Sequence, residues 1–147
     1  MYLEINMKSN KIGILIKKAS LQLEKTALSV LAPYDMTLAQ YKILAYLFEA
    51  PQGSTRQVDL ERAFCMTNPS VTSVLHTLEN KELICRSGNP EDGRSKVISL
   101  TDKANTMRSE LNEAGDKLEN EFTKSLTQAE RTTIIELLTK LSNKKGE

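Results

Sequence analysis

The chain has 147 residues, 39% hydrophobic and 27% charged. This is ordinary globular composition, not disorder, and a length for one domain or for two closely joined lobes. No apolar run approaches the ~20 residues of a membrane helix, and residues 12–16 are too short for a signal-peptide core and run into Lys17 and Lys18, so a cytoplasmic protein is expected. The formal net charge of +1 argues against a protein that holds nucleic acid by bulk charge.

Helical periodicity dominates the chain. Ile12, Ile16, Ala19, Leu23, Ala27 and Val30 recur every three or four residues, which predicts a long amphipathic helix that Pro33 ends. Thr37 and Gln40 form a capping box, with Tyr41, Leu44, Ala45 and Phe48 as the apolar face behind it. Pro51, Gln52 and Gly53 stop that helix. Ser54 and Gln57 read as a second capping box, opening a short helix with Val58, Leu60 and Ala63 inside.

After a turn, Asn68 reads as an N-cap and Pro69 as the first residue of a helix over residues 68–81. Val71, Val74, Leu75 and Leu78 cluster on one side of it at 100° per residue. Pro69, Thr72, Ser73, His76 and Thr77 fall on the other, a small, polar and almost uncharged face. Residues 84–87 and 97–100 read as short strands, joined by a connection rich in turn-forming pairs. A small charged loop between two β-like runs, directly after such a helix, suggests a winged helix. Thr101 caps a last long helix with the stripe Ala104, Met107, Leu111, Ala114, Leu118 and Phe122. Thr127 and Glu130 open a final helix carrying Ile134, Leu137, Leu138 and Leu141.

Charge is balanced where a DNA-binding lobe would lie. Residues 54–101 hold Arg56, Arg62, Lys81, Arg86, Arg94 and Lys96 against Asp59, Glu61, Glu79, Glu82, Glu91 and Asp92, a sum of zero. Binding to DNA would rest on where charge is placed. Enzyme motifs are missing: no Gly-rich phosphate loop, no Gly-x-Ser-x-Gly and no His-Glu-x-x-His. Cys65, His76 and Cys85 fall in three separate elements and make no metal-ligand spacing, so neither metal nor cofactor is expected. Both cysteines read as small buried thiols.

Several short patterns coincide at fixed spacing: Ser70-Val71-Thr72, then Leu78-Glu79, Lys81, Leu83-Ile84 and Arg86, then Asp92 and Arg94, then Leu100-Thr101. Together they resemble the MarR family of bacterial transcriptional regulators, over nearly the whole chain. Glu82 departs from the family, which usually has Gly there, and residues 54–59 look one position longer than its pattern. The resemblance implies a mostly α fold with a small β-hairpin wing. It implies one MarR-type domain over 1–147: a winged helix-turn-helix DNA-binding lobe at about 35–101, with dimerisation helices at 8–32 and 102–143.

The implied site follows residue by residue. Asn68, Pro69, Ser70, Thr72, Ser73, His76 and Thr77 would form the DNA-binding face of the recognition helix. Arg94, Ser95 and Lys96 would form the wing contact, with Arg94 in or beside the minor groove and Asp92 steadying the wing. The implied partners are double-stranded DNA with a pseudo-palindromic operator, a second copy of the chain, and a small lipophilic or phenolic effector whose binding residues are unknown. The implied role is a repressor released by that ligand. Tyr34, Tyr41 and Tyr46 lie near where such a pocket would be, and equally suit a core. Two alternatives stay open: a winged-helix protein-interaction module, which the neutral charge of residues 54–101 allows, and a thiol-based redox sensor on the same scaffold.

The wing reading predicts that Arg94→Ala weakens operator binding with the fold intact. Loss of a phosphate contact should also flatten the log–log salt dependence by about one unit. Salt-titrated fluorescence anisotropy checks this, and an affinity unchanged at every salt concentration would mark Arg94 as an idle turn charge.

Overall fold

The computed structural model describes residues 11–88 and 96–143. Among the described residues, six helices and a three-stranded antiparallel sheet follow in the order α1 (Ile12–Leu31), a 3-10 turn (Ala32–Tyr34), α2 (Leu38–Glu49), β1 (Thr55–Arg56), α3 (Gln57–Phe64), α4 (Asn68–Asn80), β2 (Ile84–Gly88), β3 (Lys96–Leu100), α5 (Asp102–Phe122) and α6 (Gln128–Ser142). No described helix is long and apolar enough to cross a membrane.

Threonine opens four of these helices. Thr37, Thr67, Thr101 and Thr127 each accept the backbone N–H three residues on, from Gln40, Ser70, Ala104 and Glu130. Each satisfies a donor that the first helical turn leaves unpaired. At Thr37 and Thr127 the box is closed, because Gln40 and Glu130 accept the cap's own N–H. Those bonds hold the Glu130 carboxyl below its ordinary value.

Two caps differ from expectation. Thr67, not Asn68, caps α4, so Asn68 is the first helical residue and Pro69 the second. Ser54 donates instead to Pro51 O, and α3 starts later, where the Arg56 N–H is taken by the Asp59 carboxylate at 2.8 Å. The reason is β1. Thr55 and Arg56 pair with Ile98 and Val97, adding a third strand that the two-strand hairpin expectation lacked. The sheet order is β1-β3-β2, with Ile84 opposite Leu100 and Arg86 opposite Ile98.

Ile84, Ile98 and Leu100 join one buried core with Leu60, Val71, Leu75 and Leu78 of the helix-turn-helix, and with residues of α1, α2 and α5. Helix α2 is packed on more than one side, touching α1, α4, α5 and β3. That is why Ile43 and Leu47, outside the expected face, are buried with Leu44 and Phe48, while Tyr41 and Ala45 are only partly covered. In α3, Ala63 is exposed and Phe64 packs inward in its place.

Helix α5 crosses α2 closely at Gly115. A Cβ built there would lie 1.8 Å from the Tyr41 hydroxyl oxygen and 2.8 Å from Cζ. Burial, and then the charges of Asp116 and Glu119, raise the Tyr41 pKa, so its hydroxyl stays protonated at neutral pH. Gly115→Ala therefore sets two effects against each other. Helix propensity favours Ala by about 1 kcal/mol, whereas overpacking costs about 1–3 kcal/mol. The contact is far inside van der Waals distance and the ring has few rotamers, so the clash should win by about 1–2 kcal/mol, read as a Tm several degrees lower. A raised Tm would show that Tyr41 swings away freely.

Candidate nucleic-acid interface

Helices α3 and α4 form a helix-turn-helix joined by Cys65, Met66 and Thr67. Cys65 takes the left-handed conformation that ends α3, with φ 50°. Val71, Leu75 and Leu78 are fully buried, and Val74 partly so. The opposite side of α4 is left outward: Asn68, Pro69, Ser70, Thr72, Ser73 and His76 are exposed, and Thr77 is half-buried.

Their hydrogen bonds differ. Thr77 donates to Ser73 O at 3.2 Å, and the Asn68 amide donates to Glu61 at 3.3 Å. Thr67 donates to the Ser70 hydroxyl at 2.9 Å. Gln57, the first residue of α3, reaches across the turn and donates to the Thr72 hydroxyl at 2.8 Å and to Asn68 O at 3.3 Å. His76 and Ser73 stand clear on the outer face.

Beside the start of α4 runs a groove of about 330 Å³, lined by Arg56, Gln57, Glu61, Asn68, Arg86 and Lys96 among others. Lys96, expected in the wing, is exposed at the first position of β3. Asp92, Arg94 and Ser95 lie outside the described residues. Gln57, Arg56 and Arg86 were not among the expected site residues. The sequence makes Gln57 part of a helix cap, and only the helix-turn-helix crossing brings it to Thr72.

The C-terminal end of α4 is fastened on three sides. Glu79 pairs with Arg86 of β2, whose Nε donates at 2.8 Å. The Lys81 ammonium donates to Asp35 O and, at 3.1 Å, to Gln40 Oε1, tying the helix to the α1–α2 turn. Lys103 of α5 donates to Lys81 O at 2.9 Å. The thiols correct another expectation: Cys65 and Cys85 are both exposed. Cys65 sits in the tight turn, and Cys85 lies one residue out of phase with the buried Ile84.

The family model of the MarR family matches residues 36–96, from the start of α2 to the first residue of β3. Over those residues the chain is similar to the MarR family. Among solved structures, the MarR-family fold recurs along most of the chain. MepR of S. aureus in complex with DNA is 28% identical, with a TM-score of 0.80 over 89% of this chain and 96% of its own. A cysteine-to-serine mutant of MarR from E. coli, complexed with operator DNA, is 26% identical, with a TM-score of 0.83 over 95% and 99%. BpsR of Bordetella bronchiseptica, whose DNA binding is regulated by 6-hydroxynicotinic acid, is 25% identical, with a TM-score of 0.84 over 94% and 97%.

Glu82, where the MarR family usually has Gly, adopts φ 60°. A non-glycine residue thus occupies a left-handed turn here. Its carbonyl accepts the Thr101 hydroxyl at 2.7 Å, which locks the passage from α4 into β2. An L side chain in this conformation costs about 1–2 kcal/mol, and glycine's greater unfolded-state freedom offsets part of the relief. Glu82→Gly should therefore stabilise the fold by about 0.5–1 kcal/mol in denaturant unfolding, with Glu82→Ala giving no such gain. Equal effects of the two would show that backbone strain is not the cause.

Proposed function

We propose that the chain is a cytoplasmic, sequence-specific DNA-binding transcriptional regulator, acting as a homodimer on a pseudo-palindromic operator and repressing by occupying it. The observation that carries this is the outer face of α4. A face of Asn68, Ser70, Thr72, Ser73, His76 and Thr77 is rich in neutral hydrogen-bonding groups and poor in charge. Such a face suits base edges in a major groove better than solvation. Lys96 stands at the base of the wing, and Arg94 and Ser95 are assigned to it with Asp92 as its support. The near-zero charge of residues 54–101 means that phosphate contacts orient more than they attract.

The dimer is supported by what the terminal helices leave uncovered. On α6, Ile134, Ile135, Leu137, Leu138 and Leu141 are 41–62% exposed, and on α1 Ile12, Leu15 and Ile16 are exposed as well. All of these but Ile135, together with Phe122, line an apolar groove of about 740 Å³. Contiguous apolar surface of this kind on a soluble protein marks an association site. Two copies joined there would set two recognition helices about one DNA turn apart, ~34 Å.

An effector is supported by the likeness to BpsR and by two grooves of about 450 and 440 Å³ along α1 and the start of α2, which share Leu28, Met36 and Thr37. The three tyrosines considered for such a pocket pack against the core. Release of DNA would require the ligand to bind the two dimer shapes with different affinity.

One charged substitution tests dimer and operator together. Leu137→Lys should sediment as a monomer with its helix content kept, and should lose operator binding at least tenfold. Wild-type protein found only as monomer at micromolar concentration would end the dimer reading. A monomeric variant that still binds the full operator tightly would separate DNA binding from dimerisation.

A further inference from the structure

We propose that Gln57 is a positioning residue that fixes the Thr72 hydroxyl as an outward hydrogen-bond donor toward an acceptor atom on DNA. The inference rests on α4 being the recognition helix. Gln57 lies on α3, yet its amide nitrogen sits 3.3 Å from Asn68 O and 2.8 Å from Thr72 Oγ1. A backbone carbonyl has no proton to give, so the side of the amide facing Asn68 must be the nitrogen. That settles the direction of the second bond as well: the amide gives its other proton to Thr72.

A hydroxyl that accepts there must aim its own proton elsewhere. Helical threonines commonly donate to the carbonyl four residues back, and Thr26, Thr77, Thr132, Thr133 and Thr139 all do so in this chain. Thr72 makes no such bond. The carbonyl it would use is that of Asn68, which already accepts from Gln57, and the Thr72 hydroxyl has no acceptor among the described residues. Its side chain is exposed on the outer face of α4. A donor held in this polarity suits purine N7, guanine O6, thymine O4 or a phosphate oxygen, while only one lone pair is left on the oxygen to accept.

The test begins with an operator selected by the wild-type protein from randomised duplex DNA. Affinities of Gln57→Met, Thr72→Val and the double variant are then measured on that operator and on random duplex, with thermal melts to confirm folding. Each single change should weaken operator binding by about fivefold, the worth of one hydrogen bond. The double variant should be no weaker than either single one, because both remove the same contact. A base acceptor would confine the loss to operators carrying that base pair, and a phosphate would spread it over random DNA. Gln57→Glu keeps a partner for Thr72 but reverses the polarity, so it should behave like Gln57→Met.

Losses that multiply to about 25-fold, a single variant that binds as wild type, or wild-type base preference kept by Gln57→Glu would each overturn the proposal. A wild-type protein that selects no sequence would fail the recognition-helix reading and take this one with it.

Discussion

The interface depends on three side chains that point away from it. Val71, Leu75 and Leu78 are completely buried, each contributing about 1.5–3 kcal/mol of apolar burial. Their spacing of four and three residues places them on one stripe of α4. A helix anchored along one stripe has its rotation about its own axis fixed. The outward position of Thr72, Ser73 and His76 is therefore a consequence of core packing, and needs no contact of its own. This permits a face made of small neutral groups, which add little to stability.

Rotation is only half of the placement; tilt is the other half, and polar contacts at the helix ends set it. At the start, Gln57 bridges α3 to Asn68 and Thr72. At the end, Lys81 reaches the α1–α2 turn, Glu79 reaches β2, and Thr101 closes the strained turn at Glu82. The Lys81 bond runs to Asp35 and Gln40, which line the same groove as Leu28 and Met36. A change in that groove is thus one side chain away from the end of α4.

The sequence made the helices legible because Thr37, Thr101 and Thr127 mark three helix starts and because α4 and α5 bury a single stripe each. It was less informative wherever an element meets neighbours on several sides. Helix α2 buries Ile43 and Leu47 as well as the expected Leu44 and Phe48, and no single-face periodicity can show that. Strand β1 has two residues, too few for alternation to register, and its pairing with β3 moved the start of α3. The average tendency of cysteine toward burial predicts buried thiols, but local backbone geometry decides: a left-handed turn exposes Cys65 and the outward phase of a strand exposes Cys85. The face of α4 could be listed from periodicity, but the link from Gln57 could not, since it depends on how two helices cross.

The terminal stripes show the opposite limit. Ile12, Ile16, Ile134, Leu137 and Leu141 have the pattern of a core, yet remain largely exposed in the single chain. Periodicity reports that a face should be covered, without saying by which chain. Helix α6 has no buried residue of its own, so little within one copy holds it, whereas α5 is buried at Ala104, Leu111, Ala114 and Leu118. One end of the chain is therefore packed, and the other leaves an apolar face uncovered in the single copy. If a second copy covers that face, the spacing of the two recognition helices is set far from the DNA, by α1 and α6. The Lys81–Asp35 fastening is then one place where movement of the distal helices reaches α4.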